Sequence, residues 1–136
     1  MKVYLDTNVF VDMIVPREDT SLNEDAMKIL LAGHSPKMEL CVSPITIATT
    51  YYLCRKVSDV FLRMKSVLAG MTITPVGEDD VRFSIFFDFP DREDAMHMAC
   101  AKNADCDLIL TRNPKHFTGS PVICYTPSEF LSRLKG

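Results

Sequence analysis

The chain has 136 residues, of which 47% are hydrophobic, and a formal net charge of −3. This length and apolar content predict one compact domain over residues 1–136, and the charge excludes a global basic field that holds nucleic acid. No apolar run approaches the roughly 20 residues that span a membrane, so we expect no membrane partner. The five cysteines form no Cys-x-x-Cys pair, which predicts buried thiols in a reducing cytoplasm.

Strand-like and helix-like segments alternate from the amino terminus. Residues 2–5 are predicted to form the first strand, and the capping box that runs from Ser21 to Glu24 is predicted to open a helix. A brief second strand is predicted at residues 39–42. Ser43-Pro44 then combines an N-cap with a proline at the first helical position, and Ser58 is predicted to cap the helix after that.

The second half of the chain continues this alternation. Three more strands are predicted, at residues 71–74, 107–111 and 121–124. Helices are predicted at residues 76–87, at 91–103 and after the capping box of Thr126 and Glu129. Alternation throughout the chain predicts an α/β three-layer sandwich, in which helices flank a five-stranded parallel sheet.

Polar residues follow two of the predicted strands and open one helix. Asp6 ends the first strand, an acidic segment covers residues 88–94, and residues 111–116 follow the fourth strand. Right-handed crossovers bring the carboxyl ends of parallel strands to one edge, and ligands of open α/β sheets gather beyond that edge. We therefore expect Asp6 and Asp94 to converge there.

Oxygen ligands in this arrangement are typical of a site for a hard divalent cation. Such ions activate water and relieve charge on a phosphate, which are the two requirements of phosphodiester hydrolysis. Magnesium usually takes one or two protein carboxylates and keeps several waters. Asp6 and Asp94, with Asn113 as a neutral oxygen ligand, fit one such ion.

Each of these residues also has a purely structural interpretation. Asp6 alone is a helix N-cap about as often as it is a ligand, and the acids of residues 88–94 suit a solvated helix start. His97 lies three positions after Asp94 on one helix face, where a partly buried structural histidine is the simpler interpretation. His116 alone fits a surface loop.

The combination of motifs is more specific than its parts, and it resembles the PIN domains found in VapC-type toxins of bacterial toxin–antitoxin pairs. The resemblance covers nearly the whole chain. It is carried by Val3-Tyr-Leu-Asp-Thr-Asn-Val-Phe-Val-Asp12, Val42-Ser-Pro-Ile-Thr-Ile-Ala48, Asp91-Arg-Glu-Asp-Ala95, Leu108-Ile-Leu-Thr-Arg-Asn-Pro-Lys-His-Phe117 and Pro121-Val-Ile-Cys-Tyr-Thr-Pro-Ser-Glu-Phe130. It implies a five-stranded parallel sheet flanked by helices and a ribonuclease that uses Mg²⁺ or Mn²⁺ with four acidic residues.

The family's acidic residues carry over only in part. Asp6 matches the first acidic position and Asp94 the third. The second acid, usually a glutamate in the helix after Ser43-Pro44, falls at Thr49, and the fourth falls at His116. Two of the four acids are therefore missing, which bears on catalysis more than on the fold.

Other residues of the resemblance complete the predicted site. Thr111 and Asn113 match the family's Thr-Arg-Asn pattern and would orient ligands or water in catalysis. The acids that could compensate for the missing two are Asp91, which we include in the predicted metal site, and Glu93, followed by Asp12 or Asp88. The predicted contacts to RNA phosphate are Arg112, Lys115 and His116, with Arg17 and Arg55-Lys56 further out.

The resemblance predicts a divalent-metal-dependent endoribonuclease, the toxin of a type II toxin–antitoxin pair, which binds RNA, a small antitoxin protein and a second copy of itself. The alternative is a degenerate PIN-like module that binds RNA or protein without catalysis, and metal titration separates the two. A phosphotransfer domain with a nucleophilic aspartate at the strand end is disfavoured, since Asn8 stands where a second aspartate is needed.

Overall fold

The computed structural model describes residues 1–135, in which five strands alternate with helices. The strands are β1 (Lys2–Leu5), β2 (Glu39–Val42), β3 (Thr72–Ile73), β4 (Leu108–Leu110) and β5 (Ile123–Tyr125). The α-helices are α1 (Thr7–Asp12), α2 (Thr20–Ala32), α3 (Pro44–Leu53), α4 (Val60–Leu68), α5 (Glu78–Phe86), α6 (Arg92–Asn103) and α7 (Pro127–Lys135). A 3-10 helix at Pro114–Phe117 was not predicted.

The strands form one parallel sheet in the order β3-β2-β1-β4-β5. The predicted five-stranded α/β architecture is therefore confirmed. The bounds of β1 and β2 are as predicted, and the ends of the other three strands differ from the prediction by one or two residues. β1 lies at the centre, with Leu5 opposite Leu110 of β4 and Tyr4 opposite Cys41 of β2. All strand carboxyl ends consequently meet at one edge of the sheet.

Two apolar cores lie on the two faces of this sheet. Side chains along a strand point alternately to opposite faces, so Val3 and Leu5 join one core while Tyr4 joins the other. The first core contains residues of α1, α2, α4 and α7, and the second contains residues of α6. This division produces the predicted three layers.

Of the helix caps predicted from the sequence, some are confirmed and others are displaced. The capping box at Thr126 and Glu129 is confirmed, because each side chain accepts from the other residue's backbone N–H. The box predicted at Ser21 is wrong: Asp19 is the N-cap and accepts from the Ser21 N–H at 3.1 Å. The cap predicted at Ser58 is also displaced by one residue, to Asp59.

The cysteines agree with the prediction of buried thiols. All five cysteines are free; four are buried, and Cys124 is half-buried. Of the helices in residues 1–135, none combines the length and apolar character that crossing a membrane requires.

A close approach at the end of α2 generates a stability prediction. A Cβ added at Gly33 would overlap the side chain of Leu40, which is buried in β2, whereas one at Gly70 would meet no atom within 4 Å. We expect Gly33→Ala to lower the free energy of unfolding by about 1–3 kcal/mol, as overpacking does. Gly70→Ala, the matched control, should change it by less than about 0.5 kcal/mol. Urea unfolding of both variants measures the difference, and equal midpoints would contradict the close approach.

Candidate active site

Asp6 is held at the carboxyl end of the central strand by two hydrogen bonds. One carboxylate oxygen accepts from the Thr7 backbone N–H at 2.9 Å, and the other accepts from the Thr111 hydroxyl at 2.9 Å. Asp6 is therefore the N-cap of α1, which agrees with the structural interpretation of this residue drawn from the sequence. Its side chain remains 13% exposed, so capping leaves the carboxylate accessible from the sheet edge.

Asp94 lies in the first turn of α6 and faces the same region. Asp91 is the N-cap of α6, and its carboxylate accepts from the Asp94 backbone N–H at 3.0 Å. Burial, and then the negative charges of Asp6 and Asp91, raise the pKa of Asp94 to about 6. The Asp94 carboxyl is thus close enough to the other two for their charges to oppose its ionisation.

A buried histidine connects α6 to the central strand. The His97 side chain is 0% exposed, with Nδ1 2.6 Å from the Tyr4 hydroxyl and Nε2 3.0 Å from the Thr7 hydroxyl. The Tyr4 hydroxyl in turn donates to the Ser43 hydroxyl at 2.8 Å. The sequence predicted a partly buried structural histidine. It is wholly buried, and it also borders the site, since Nε2 lies 3.6 Å from Asp6 Oδ1.

Glu93 brings a second carboxylate to this histidine. Its Oε1 lies 3.5 Å from His97 Nε2 and accepts a hydrogen bond from the Thr49 hydroxyl at 3.1 Å. The hydrogen bond with His97 is the main reason that the pKa of Glu93 is lowered from its usual value. The carboxylate is therefore ionised near neutral pH. The i,i+4 spacing of Glu93 and His97 is the sequence signal that could have found this pair.

The loop after β4 contributes one buried and several exposed groups. Thr111 is buried, and its hydroxyl also accepts from the Asn113 backbone N–H at 3.2 Å. Asn113, Lys115 and His116 are exposed at the surface. His116 nevertheless faces the acids, because its Nδ1 lies 3.6 Å from Asp94 Oδ2.

The basic residue of this loop nearest to the sheet is already engaged. The Arg112 guanidinium bonds to the buried carboxylate of Asp12, with Nε 2.9 Å from Oδ2, and Arg17 Nε donates to the same carboxylate at 2.8 Å. Asp12 is thus neutralised by two cations and is not placed to replace a missing acid. The phosphate contacts expected of Arg112 and Arg17 stay predictions. In the structure, both side chains bind the carboxylate of Asp12.

Sequence comparison identifies the family to which this arrangement belongs. The profile of the PIN domain matches residues 2–115. Ribonuclease VapC1 of Aquifex aeolicus (strain VF5) is 32% identical over 140 residues, which cover 97% of this chain and 94% of that protein. The chain belongs to the PIN-domain family.

Solved structures show the same fold at lower identity. The VapBC2 structure from Rickettsia felis, bound to a DNA fragment from its promoter, contains a chain with a TM-score of 0.69 and 17% identity, covering 93% of this chain and 98% of that one. A toxin–antitoxin complex from Klebsiella pneumoniae gives a TM-score of 0.69 at 24% identity, with 92% and 97% covered. The PIN fold is therefore shared over nearly the full length.

The residues of this PIN domain fit a hard cation in number and type of donor. Within residues 1–135, no three His, Cys, Asp or Glu side chains are gathered as a ready metal centre. Magnesium, however, usually takes only one or two carboxylates and completes its shell with water. Asp6 and Asp94 meet this requirement, since each is partly exposed and the first raises the pKa of the second.

The raised pKa of Asp94 generates a prediction for the metal-free protein. Because its pKa moves from 3.8 to about 6 on folding, the folded state favours the protonated carboxyl. This contribution to stability is fully present below about pH 4 and is lost as the pH rises through about 6. In EDTA, the melting temperature of the wild type should therefore fall relative to that of Asp94→Asn between about pH 4 and pH 7. A difference between the two proteins that does not vary with pH would contradict the shift.

Proposed function

We propose that this PIN domain is a divalent-metal-dependent endoribonuclease, the toxin of a type II toxin–antitoxin pair. The observation that carries the proposal is the gathering of acids at the carboxyl edge of the sheet: Asp6 follows β1 and lies 3.6 Å from His97 of α6, the helix whose first turn carries Asp94. The relative named Ribonuclease VapC1 supports RNA as the substrate. Five free thiols suit the reducing cytoplasm in which we place it.

Each side chain has a distinct part in the proposed reaction. Asp6 and Asp94 would hold a Mg²⁺ or Mn²⁺ ion, which when bound supplies an activated water and charge relief on the phosphate. Thr111 keeps the Asp6 carboxylate oriented through its 2.9 Å hydrogen bond. Asn113 would add a neutral oxygen, and Asp91 fixes the start of the helix that carries Asp94.

Exposed cations near these acids would bind the RNA backbone. Lys115 and His116 lie on the 3-10 helix after β4, and both are exposed. His116 stands beside Asp94, so a phosphate that accepts a hydrogen bond from its ring N–H or binds Lys115 would arrive next to the acids. Contacts of this kind position a strand without reading its sequence.

Two exposed apolar patches support the protein partners. The first combines the end of α3 with the start of α4 and contains Tyr51, Tyr52, Leu53, Phe61 and Leu62. The second lies on and after α5 and contains Val81, Ile85, Phe86 and Phe87. Contiguous exposed apolar surface marks protein interaction sites. We assign one patch to a small antitoxin and the other to a homodimer contact. The complexes from Rickettsia felis and Klebsiella pneumoniae support an antitoxin as one of the two partners.

The second candidate function is a PIN-like module that binds RNA or protein without cleaving it. Thr49 and His116 at two usually acidic positions favour it. Such a module would have no need of a bound cation, whereas the nuclease requires one. Metal binding and cleavage therefore separate the two candidates.

Removing the proposed ligands tests the nuclease directly. We expect millimolar Mg²⁺ or Mn²⁺ to raise the melting temperature of the wild type, because it binds only the folded state. Asp6→Asn and Asp94→Asn should abolish most of this rise and should lower RNA cleavage at least about 100-fold, since a metal ion supplies several kcal/mol and about 1.4 kcal/mol is tenfold. Asp105→Asn, at the opposite edge of the sheet before β4, is the matched control and should behave as the wild type. A wild-type melting curve that metal leaves unchanged would favour the non-catalytic module.

The residue at position 116 should set the metal preference. A neutral imidazole beside Asp94 suits manganese better than magnesium, because nitrogen ligands favour transition metals. We expect wild-type cleavage to prefer Mn²⁺, and His116→Asp to raise Mg²⁺-dependent cleavage by restoring a hard oxygen ligand. The rate ratio in the two metals measures this. An unchanged ratio in His116→Asp would place His116 outside the metal's reach.

A further inference from the structure

The resemblance to PIN domains places an acid in α3, where this chain has Thr49. A threonine hydroxyl carries no charge, while Mg²⁺ and Mn²⁺ sites are built mainly from carboxylate, carbonyl and water oxygens. Thr49 is half-buried on the face of α3 that looks toward α6. The charge that this position lacks must therefore come from another element, if the site is to hold its ion as its relatives do.

A glutamate from α6 reaches the end of the Thr49 side chain. The Thr49 hydroxyl donates to Glu93 Oε1 at 3.1 Å. The same oxygen lies 3.5 Å from the hydroxyl of Thr7, the residue directly after Asp6. The Glu93 carboxylate thus occupies the space into which a longer acidic side chain at position 49 would extend.

The buried imidazole of His97 sets the position of this carboxylate relative to Asp6. His97 Nε2 lies 3.5 Å from Glu93 Oε1 and 3.6 Å from Asp6 Oδ1. The ring itself is held at its other nitrogen, 2.6 Å from the Tyr4 hydroxyl, and is wholly buried. One rigid group therefore fixes both carboxylates on the side of the site nearest to α3.

The second oxygen of Glu93 remains available. All contacts of Glu93 with Thr7, Thr49 and His97 are made through Oε1, and the side chain is 45% exposed. Across residues 1–135, no hydrogen bond or ion pair to Oε2 is present. An anchored oxygen beside a free one is the arrangement expected of a carboxylate that receives a cation or its bound water.

We propose that Glu93 supplies to the metal site the carboxylate that position 49 lacks, so that this acid has moved from α3 to α6 while its charge stays at the same place. The proposal rests on the proposed nuclease function and adds Glu93 to its metal site as a carboxylate that acts on the ion through its bound water. The competing account is that Glu93 serves only as an ion-pair partner for His97. The two accounts differ in what a neutral side chain of the same length would do.

Glu93→Gln distinguishes these accounts through metal binding as well as activity. The amide oxygen can still accept from Thr49, so the metal-free melting temperature should stay within about 3 °C of the wild type. Mn²⁺ affinity, measured from the free-ion signal in electron paramagnetic resonance, should fall roughly 10- to 100-fold, and cleavage should fall with it. Glu24→Gln, which removes the same charge from the exposed face of α2, is the matched control and should bind Mn²⁺ as the wild type does.

The double variant Thr49→Glu with Glu93→Gln tests the change of position. A glutamate at 49 returns the carboxylate to α3 next to the neutral amide, so Mn²⁺ affinity and cleavage should recover most of the loss. Wild-type affinity in Glu93→Gln would overturn the proposal, and absence of recovery in the double variant would overturn the exchange between positions 49 and 93. Failure of the proposed function gives a different result, namely a wild type that binds no Mn²⁺ and that Asp6→Asn does not alter.

Discussion

The parallel pairing of β1 with β4 is the constraint on which the site depends. Leu5 pairs with Leu110 in this ladder, so Asp6 and Thr111 leave the sheet side by side. The Asp6 backbone N–H extends the pairing by one hydrogen bond, at 2.9 Å to the Leu110 carbonyl. The Thr111 hydroxyl then meets the Asp6 carboxylate. The position of the Asp6 carboxylate is therefore set by the register of the sheet rather than by a flexible loop.

Several carboxylates lie at this edge of the sheet, and two different effects reduce the cost of bringing their negative charges together. Asp94 is moved toward its neutral form, since burial and neighbouring carboxylates raise its pKa. Glu93 is kept ionised by its hydrogen bond with His97. Buried like charges with partial compensation are expected where a protein keeps a place for a cation.

The cations near this edge separate into engaged and accessible groups. Arg17 and Arg112 bind the carboxylate of Asp12, which is 3% exposed. Breaking a buried pair leaves an uncompensated charge and is strongly destabilising, so Arg112 ties α1 to the loop after β4, and Arg17 ties α1 to the segment before α2. Lys115 and His116 follow in the same loop and remain exposed, which makes them the better placed contacts for a phosphate.

The fold was largely readable from local patterns. Alternating strand-like and helix-like segments predicted the parallel sheet, and the short crossovers predicted that Asp6 and Asp94 lie at one edge. Boundaries were less accurate where two capping residues compete: Asp19 lies two positions before Ser21 and took the cap, since an aspartate is at least as good an N-cap as a serine. The short β3 at the sheet edge likewise lost residues at both ends of its predicted range.

What the sequence determined by itself was the set of elements, their parallel arrangement and the two acids that follow from strand ends and helix starts. Only the tertiary structure decided which polar groups touch. The pairing of Arg112 with Asp12, and the meeting of Glu93 with Thr49, join residues that are far apart in the chain. Such contacts depend on the packing of α1, α3 and α6 against one sheet. Spacing along a single element shows which residues share a face, but it carries no information about which other element that face will meet.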